Sequence, residues 1–172
     1  MVSFIKYDMP YIIKKTIYKL GFNELNYTCY GSVGQMNRWA NVPWISIMDK
    51  DITTTARDGF YITYLFKKDM SGFYISLMWT IDFFNNIQLN KEDISDEFKN
   101  LIRSSFKDFD FLEEVDLCDK CQGLPRKYEK SVIIAKEYDL SNFPTEDELE
   151  KDLKDFMKVY SFLKPYFFDL II

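Results

Sequence analysis

Histidine is missing altogether from this 172-residue chain. Its loss removes the commonest general base and a frequent metal ligand, so triad hydrolysis and a typical catalytic zinc site are disfavoured. Cysteine is scarce as well. Three cysteines make no disulfide framework and suit a reducing compartment. Cys118 and Cys121 form a lone C-x-x-C, but with Cys29 as the only other thiol a tetrahedral metal site is one ligand short, and the pair reads as half-buried thiols in a loop. The phosphate-cradling pattern G-x-x-x-x-G-K-[ST] does not occur. No apolar run approaches the ~18 residues that cross a bilayer, and the first residues lack a signal-peptide core. These absences lead us to expect a cytoplasmic, non-catalytic protein with no membrane partner, no metal and no cofactor.

What is present is apolar and aromatic. Hydrophobic residues make up 47% of the chain and aromatic residues 18%, ample to offset the entropy of ordering one domain over residues 1–172. Glycine and proline number six and five and gather into no repeat, low-complexity tract or interdomain linker. The net charge of −5 is unevenly spread. Residues 92–119 hold ten acids and three bases and residues 141–172 seven acids and four bases, which leaves the rest of the chain at +5. A neutral-to-basic face is therefore available despite the acidic total.

Pro10 begins a short amphipathic pattern carrying Ile12, Ile13, Ile17 and Leu20, with Gly21 as its stop. From residue 27 to residue 80 the period becomes two. Phe60, Ile62, Tyr64 and Phe66 alternate with Tyr61, Thr63 and Leu65, and Phe73, Ile75, Leu77 and Trp79 alternate with Tyr74, Ser76 and Met78. Between these two strands, Lys68-Asp69-Met70-Ser71-Gly72 has hairpin-turn composition. Ile94, Phe98, Leu101 and Ile102 mark a second helix, residues 107–127 read as an acidic loop, and residues 128–138 as a further strand. Thr145 and Glu148 form a capping box for a last helix with the stripe Leu149, Leu153, Phe156, Met157 and Tyr160, which Pro165 is expected to end. The sum is one α+β domain, a mainly antiparallel or mixed sheet with flanking helices.

Chemistry concentrates between residues 31 and 65. A glycine-bearing polar loop, Gly31-Ser32-Val33-Gly34-Gln35-Met36-Asn37-Arg38, runs through Trp39-Ala40-Asn41-Val42-Pro43 into Trp44. Trp44, Tyr61 and Leu65 on neighbouring strands are suited to line a slot for a flat aromatic ligand, or else to fill the core. Asp49, Asp51, Asp58 and Asp69 suit either a carboxylate set or turns and strand ends.

These residues carry a resemblance. Gly31-Ser32-Val33-Gly34, Asn37, Trp39-Ala40-Asn41-Val42-Pro43-Trp44-Ile45, Thr53-Thr54-Thr55, Gly59-Phe60-Tyr61-Ile62-Thr63-Tyr64-Leu65-Phe66, Asp69-Met70 and Tyr74-Ile75-Ser76-Leu77 resemble the McrB-like N-terminal domain of modification-dependent restriction systems. The likeness is dense over residues 27–80 and fainter over residues 125–138. It implies a domain that binds duplex DNA and holds a flipped, modified cytosine such as 5-methylcytosine. It further implies a GTP-hydrolysing AAA+ motor in the same, longer chain, unless the domain is a stand-alone reader, with an McrC-like nuclease partner, in phage defence.

By that resemblance the base pocket falls on Trp44, Tyr61, Leu65 and Tyr128. The loop that fills the vacated stack falls on Gly34, Gln35, Met36 and Asn37, where this sequence offers no aromatic residue after Gly34. Arg38, Lys50, Arg57, Arg126, Lys127 and Lys130 are candidates for phosphate contacts. Two other readings stand beside it. One is a DNA-binding domain that reads unmodified sequence without flipping, and the other is an interaction module using the apolar tail Tyr166-Phe167-Phe168-Asp169-Leu170-Ile171-Ile172.

Overall fold

The computed structural model describes residues 2–34, 40–87 and 89–171. A π-helical turn, Phe4–Asp8, leads into helix α1, Met9–Lys19, which buries Pro10, Ile13 and Ile17 but leaves Ile12 exposed. Strands β1 (Tyr27–Ser32), β2 (Trp44–Asp49), β3 (Phe60–Phe66) and β4 (Gly72–Trp79) follow. After the short α2 (Phe83–Asn86) and α3 (Lys91–Ser105) come α4 (Leu124–Glu129), β5 (Val132–Asp139) and α5 (Glu146–Ile171). The strands form one antiparallel sheet in chain order, β1-β2-β3-β4-β5. The α+β expectation, with an antiparallel sheet and flanking helices, is met.

One face of the sheet packs on helices. Phe60 of β3 meets the rings of Trp79, Phe98, Tyr160 and Phe167 at centroid distances of 5.1–5.7 Å. The Tyr160 hydroxyl donates to the Phe60 carbonyl and accepts from the Asp49 amide, both at 3.0 Å, so α5 is fixed to two strands by one side chain. Asp152 of α5 is buried and is matched by the Lys136 ammonium at 2.7 Å and the Tyr138 hydroxyl at 2.6 Å. A buried carboxylate without such partners is costly, so this pairing is needed for α5 to dock here.

The capping box forms as read: Glu148 accepts from the Thr145 amide at 2.8 Å and Thr145 Oγ1 accepts from the Glu148 amide at 3.3 Å. Three other expectations fail. Pro165 does not end α5, which runs on to Ile171. The stripe continues past the proline through Phe167, which joins the ring cluster around Phe60, and Lys164 ties the neighbouring turn to Asp49 and Asp51 at 2.8 and 2.6 Å. Tertiary packing thus outweighs the one amide bond a proline removes. That placement also makes part of the apolar tail core and leaves Tyr166 and Ile171 exposed.

Tyr128 does not open a strand. It lies on α4, where Pro125 takes a first-turn position that suits its fixed φ, and β5 starts only at Val132. The stretch read as loop to residue 127 therefore ends in helix. Cys118 and Cys121, expected as thiols, are joined as a disulfide across one turn. Between α3 and α4 the chain rounds the sheet, bonding Leu112 to Ala135 of β5 in both directions at 2.7 Å.

Gly31 is set by close approach. A Cβ there would lie against the Ile5 carbonyl oxygen, since the π-helical turn crosses directly over β1. Gly31→Ala is expected to lower stability by roughly 1–3 kcal/mol, as overpacking usually does, seen as a reduced urea midpoint with an unchanged slope.

Candidate ligand-recognition site

The second face of the sheet carries the predicted residues. Trp44 pairs with Leu65, and Leu65 with Tyr74, so the three lie side by side on one face. The next rank is short: Ser46, Thr63, Ser76 and Ala135 are mutual neighbours across four strands. Their hydroxyls are turned onto the sheet itself, Ser46 donating to the Tyr30 carbonyl, Thr63 to Ile45 and Ser76 to Thr63 at 3.1–3.3 Å. Beyond this strip Tyr61 faces Met78.

Residues 115–128 close over this face. The Asp116 amide donates to the Tyr74 hydroxyl at 3.3 Å, the Lys68 amide donates to the Leu117 carbonyl at 2.9 Å, and Glu129 accepts from the Leu117 amide at 3.0 Å. Tyr128 is brought from α4 into the neighbourhood of the Trp44 indole. Burial pushes the Tyr128 phenol above its ordinary range and the indole donor pulls the other way. Tyr61, whose phenol is raised by burial and then by Tyr128 nearby, is only 4% exposed, and Leu65 is 1% exposed. Trp44 and Tyr128 are half-buried. The structure therefore gathers all four predicted pocket residues, with the solvent-facing side at Trp44 and Tyr128 and with Tyr61 and Leu65 covered.

The loop is held at its feet. Ala40 donates its amide to the Val33 carbonyl at 2.7 Å, Val33 and Val42 are buried, and the Phe66 amide reaches the Pro43 carbonyl at 3.0 Å. Gly34 has φ +111°, a conformation that L side chains rarely adopt. Gln35, Met36, Asn37 and Arg38 lie outside the described residues.

The remaining basic candidates divide into two groups. Arg126, Lys127 and Lys130 are on or just after α4, Arg126 paired to Glu129 at 2.8 Å. Lys50 and Arg57 lie beyond the far end of β2, about 17 Å along the strand from Trp44 at the usual rise, and Lys50 donates to the Leu25 carbonyl at 2.6 Å. Asp49 binds Lys164, and the carboxylates of Asp58 and Asp69 accept from nearby amides, as strand-end and turn residues do. Burial raises the Cys29 thiol to about 12, which keeps it protonated and unreactive.

Two features escaped the sequence reading. Tyr30, 54% exposed, sets its ring 5.7 Å from that of Trp44 and widens the aromatic surface. The hydroxyl strip was foreshadowed by Ser46, Thr63 and Ser76 standing at the middle of three consecutive strands, a regularity visible only once register is known.

One face of the antiparallel sheet thus presents an indole and a phenol beside a glycine-footed loop. The family described as MrcB-like, N-terminal domain, matches residues 1–165, and the chain belongs to it. That membership points to DNA recognition in McrB-type restriction systems. Among curated proteins no match was found. Among the described residues no helix is long and apolar enough to cross a membrane.

Buried phenols make the fold sensitive to base. Tyr61, Tyr64, Tyr138 and Tyr160 are all raised by desolvation. A raised folded pKa favours the protonated form, so this stability is whole below the unfolded tyrosine value of about 10 and is lost as pH climbs above it. Urea midpoints measured from pH 8 to pH 11 are expected to stay level to about pH 10 and then fall, with a delayed phenolate absorbance change accompanying unfolding.

Proposed function

We propose that this domain binds duplex DNA carrying a modified cytosine, in the first place 5-methylcytosine, and receives the flipped base between Trp44 and Tyr128, with Tyr61 and Leu65 as the inner wall. The observation that carries the reading is the meeting of Trp44 from β2 and Tyr128 from α4, two half-open rings brought together from 84 positions apart beside the anchored loop. Extruding a base costs a few kcal/mol and stacking on each aromatic ring returns ~1–3 kcal/mol, so two rings suffice to hold it. The loop residues Gly34, Gln35, Met36 and Asn37 would occupy the gap left in the stack. A methyl group in an apolar niche adds only about 0.8 kcal/mol, so stronger discrimination needs polar contacts to the base edge.

Arg126, Lys127 and Lys130 would be the phosphate contacts nearest the pocket, and Arg38, which follows the loop in sequence, is a further candidate. Lys50 and Arg57 would meet only the flanking duplex. In the restriction system this recognition step would direct an AAA+ motor and an McrC-like nuclease to invading DNA in the cytoplasm.

The cover over Tyr61 and Leu65 favours a second reading, in which the same face reads the duplex without extruding a base. Duplexes carrying 2-aminopurine at the target position separate the two, since extrusion brightens the probe and groove reading leaves it dark. A screen of 5-methyl-, hydroxymethyl- and N4-methylcytosine duplexes at fixed salt is expected to show one preferred modification. Equal or undetectable binding throughout would sink the proposal. Trp44→Ala is expected to weaken the preferred duplex by roughly 10- to 100-fold with the far-ultraviolet circular dichroism unchanged.

A further inference from the structure

The chain is acidic overall, yet one helix outside the site carries the opposite balance. Residues 4–19 hold four lysines against a single aspartate, and of these Lys19 is paired with Glu150 of α5. Tyr7, Tyr11, Lys14 and Tyr18 stand at helical spacings of four, three and four, which places them on one face. The three tyrosines are 68%, 63% and 67% exposed. The Lys15 ammonium sits 5.5 Å from the centre of the Tyr11 ring. Isolated apolar groups at a surface need no explanation, but three exposed phenols interleaved with lysines on one ridge are suited to a ligand with both negative charge and hydrogen-bond acceptors.

The ridge is also well placed. The turn before α1 crosses β1 at Gly31, next to Ser32, and Ser32 pairs with Trp44. Lys14 lies close to Cys29 of the same edge strand. From Tyr7 to Tyr18 the ridge therefore starts at the Trp44 end of the sheet, on the helical side of the β1 edge, and follows β1 away from it for about 16 Å, the axial length of some five phosphates on one strand.

Resting on the DNA-binding reading above, we infer that the Tyr7–Tyr11–Lys14–Lys15–Tyr18 face of α1 and the π-helical turn before it is a second DNA contact, which takes the phosphate backbone of the duplex flanking the recognised base. The lysine ammoniums pair with phosphates, and the tyrosine hydroxyls donate to phosphate oxygens. Contacts of this kind hold the duplex in register without reading its sequence.

The test uses the whole chain and its Lys14→Ala/Lys15→Ala double variant, both exposed or half-exposed positions on a formed helix. Binding of labelled modified and plain duplexes is measured by anisotropy between 50 and 200 mM salt. The variant is expected to bind both duplexes roughly 10-fold more weakly, with the preference for the modified one unchanged, and to lose up to about two from the slope of log affinity against log salt. Tyr11→Phe, which keeps the ring and removes the donor, is expected to weaken both duplexes equally by a smaller factor.

Wild-type affinity and slope in the double variant would overturn this inference while leaving the base-recognition reading intact. So would loss of binding to anionic lipid vesicles with duplex affinity untouched, which would mark the ridge as a membrane contact. A wild-type chain that binds no duplex would overturn both readings together.

Discussion

Strands β3 and β4 are denied water on both faces, and the rest of the molecule follows from that constraint. Every residue from Phe60 to Leu65 and from Gly72 to Trp79 is buried. One face is closed by α5 and α3 through the rings around Phe60. The other has no long helix to cover it, so the irregular segment before β5 must do so, tied by Tyr74, Lys68 and Glu129. A cover built from a loop and one short helix leaves its margin open at Trp44 and Tyr128. The candidate site is thus the place where a sheet that needs two lids has one of them incomplete.

The elements that could be read from sequence were those whose signal is local. α5 announced itself through Thr145 and Glu148, and β3 and β4 through strict alternation. α4 is six residues long and opens on Pro125, a residue that marks a loop as readily as a helical first turn. Pro165 misled for the converse reason, because Phe167 and Lys164 secure the turns around it by contacts distant in sequence. At the site, residue types were legible and placement was not. Trp44 and Leu65 prove to be direct cross-strand partners, which depends on register. The covering of Tyr61 and Leu65 depends on a segment some fifty residues further along, and nothing local to either residue hints at it.

Charge follows the same division. The acidic stretches flagged in the sequence fold into α3, the strap that rounds β5, and α5, and two of these pack on the helical face. The basic residues of α4 border the opposite face, while those of α1 lie at the β1 edge on the helical side. An acidic total is therefore compatible with a basic rim around the aromatic surface, because folding sorts charges that composition averages.

The two hydrogen bonds between Leu112 and Ala135 have a bearing on solution behaviour. β5 is a marginal strand, and an uncovered margin offers free amides and carbonyls to any passing chain. Leu112 fills that position midway along β5, so a second molecule cannot zip onto it over any useful length. A protein that leaves tryptophan and tyrosine rings half-open at its surface has particular need of such a guard, since sticky rings and an unsatisfied sheet border together would favour self-assembly.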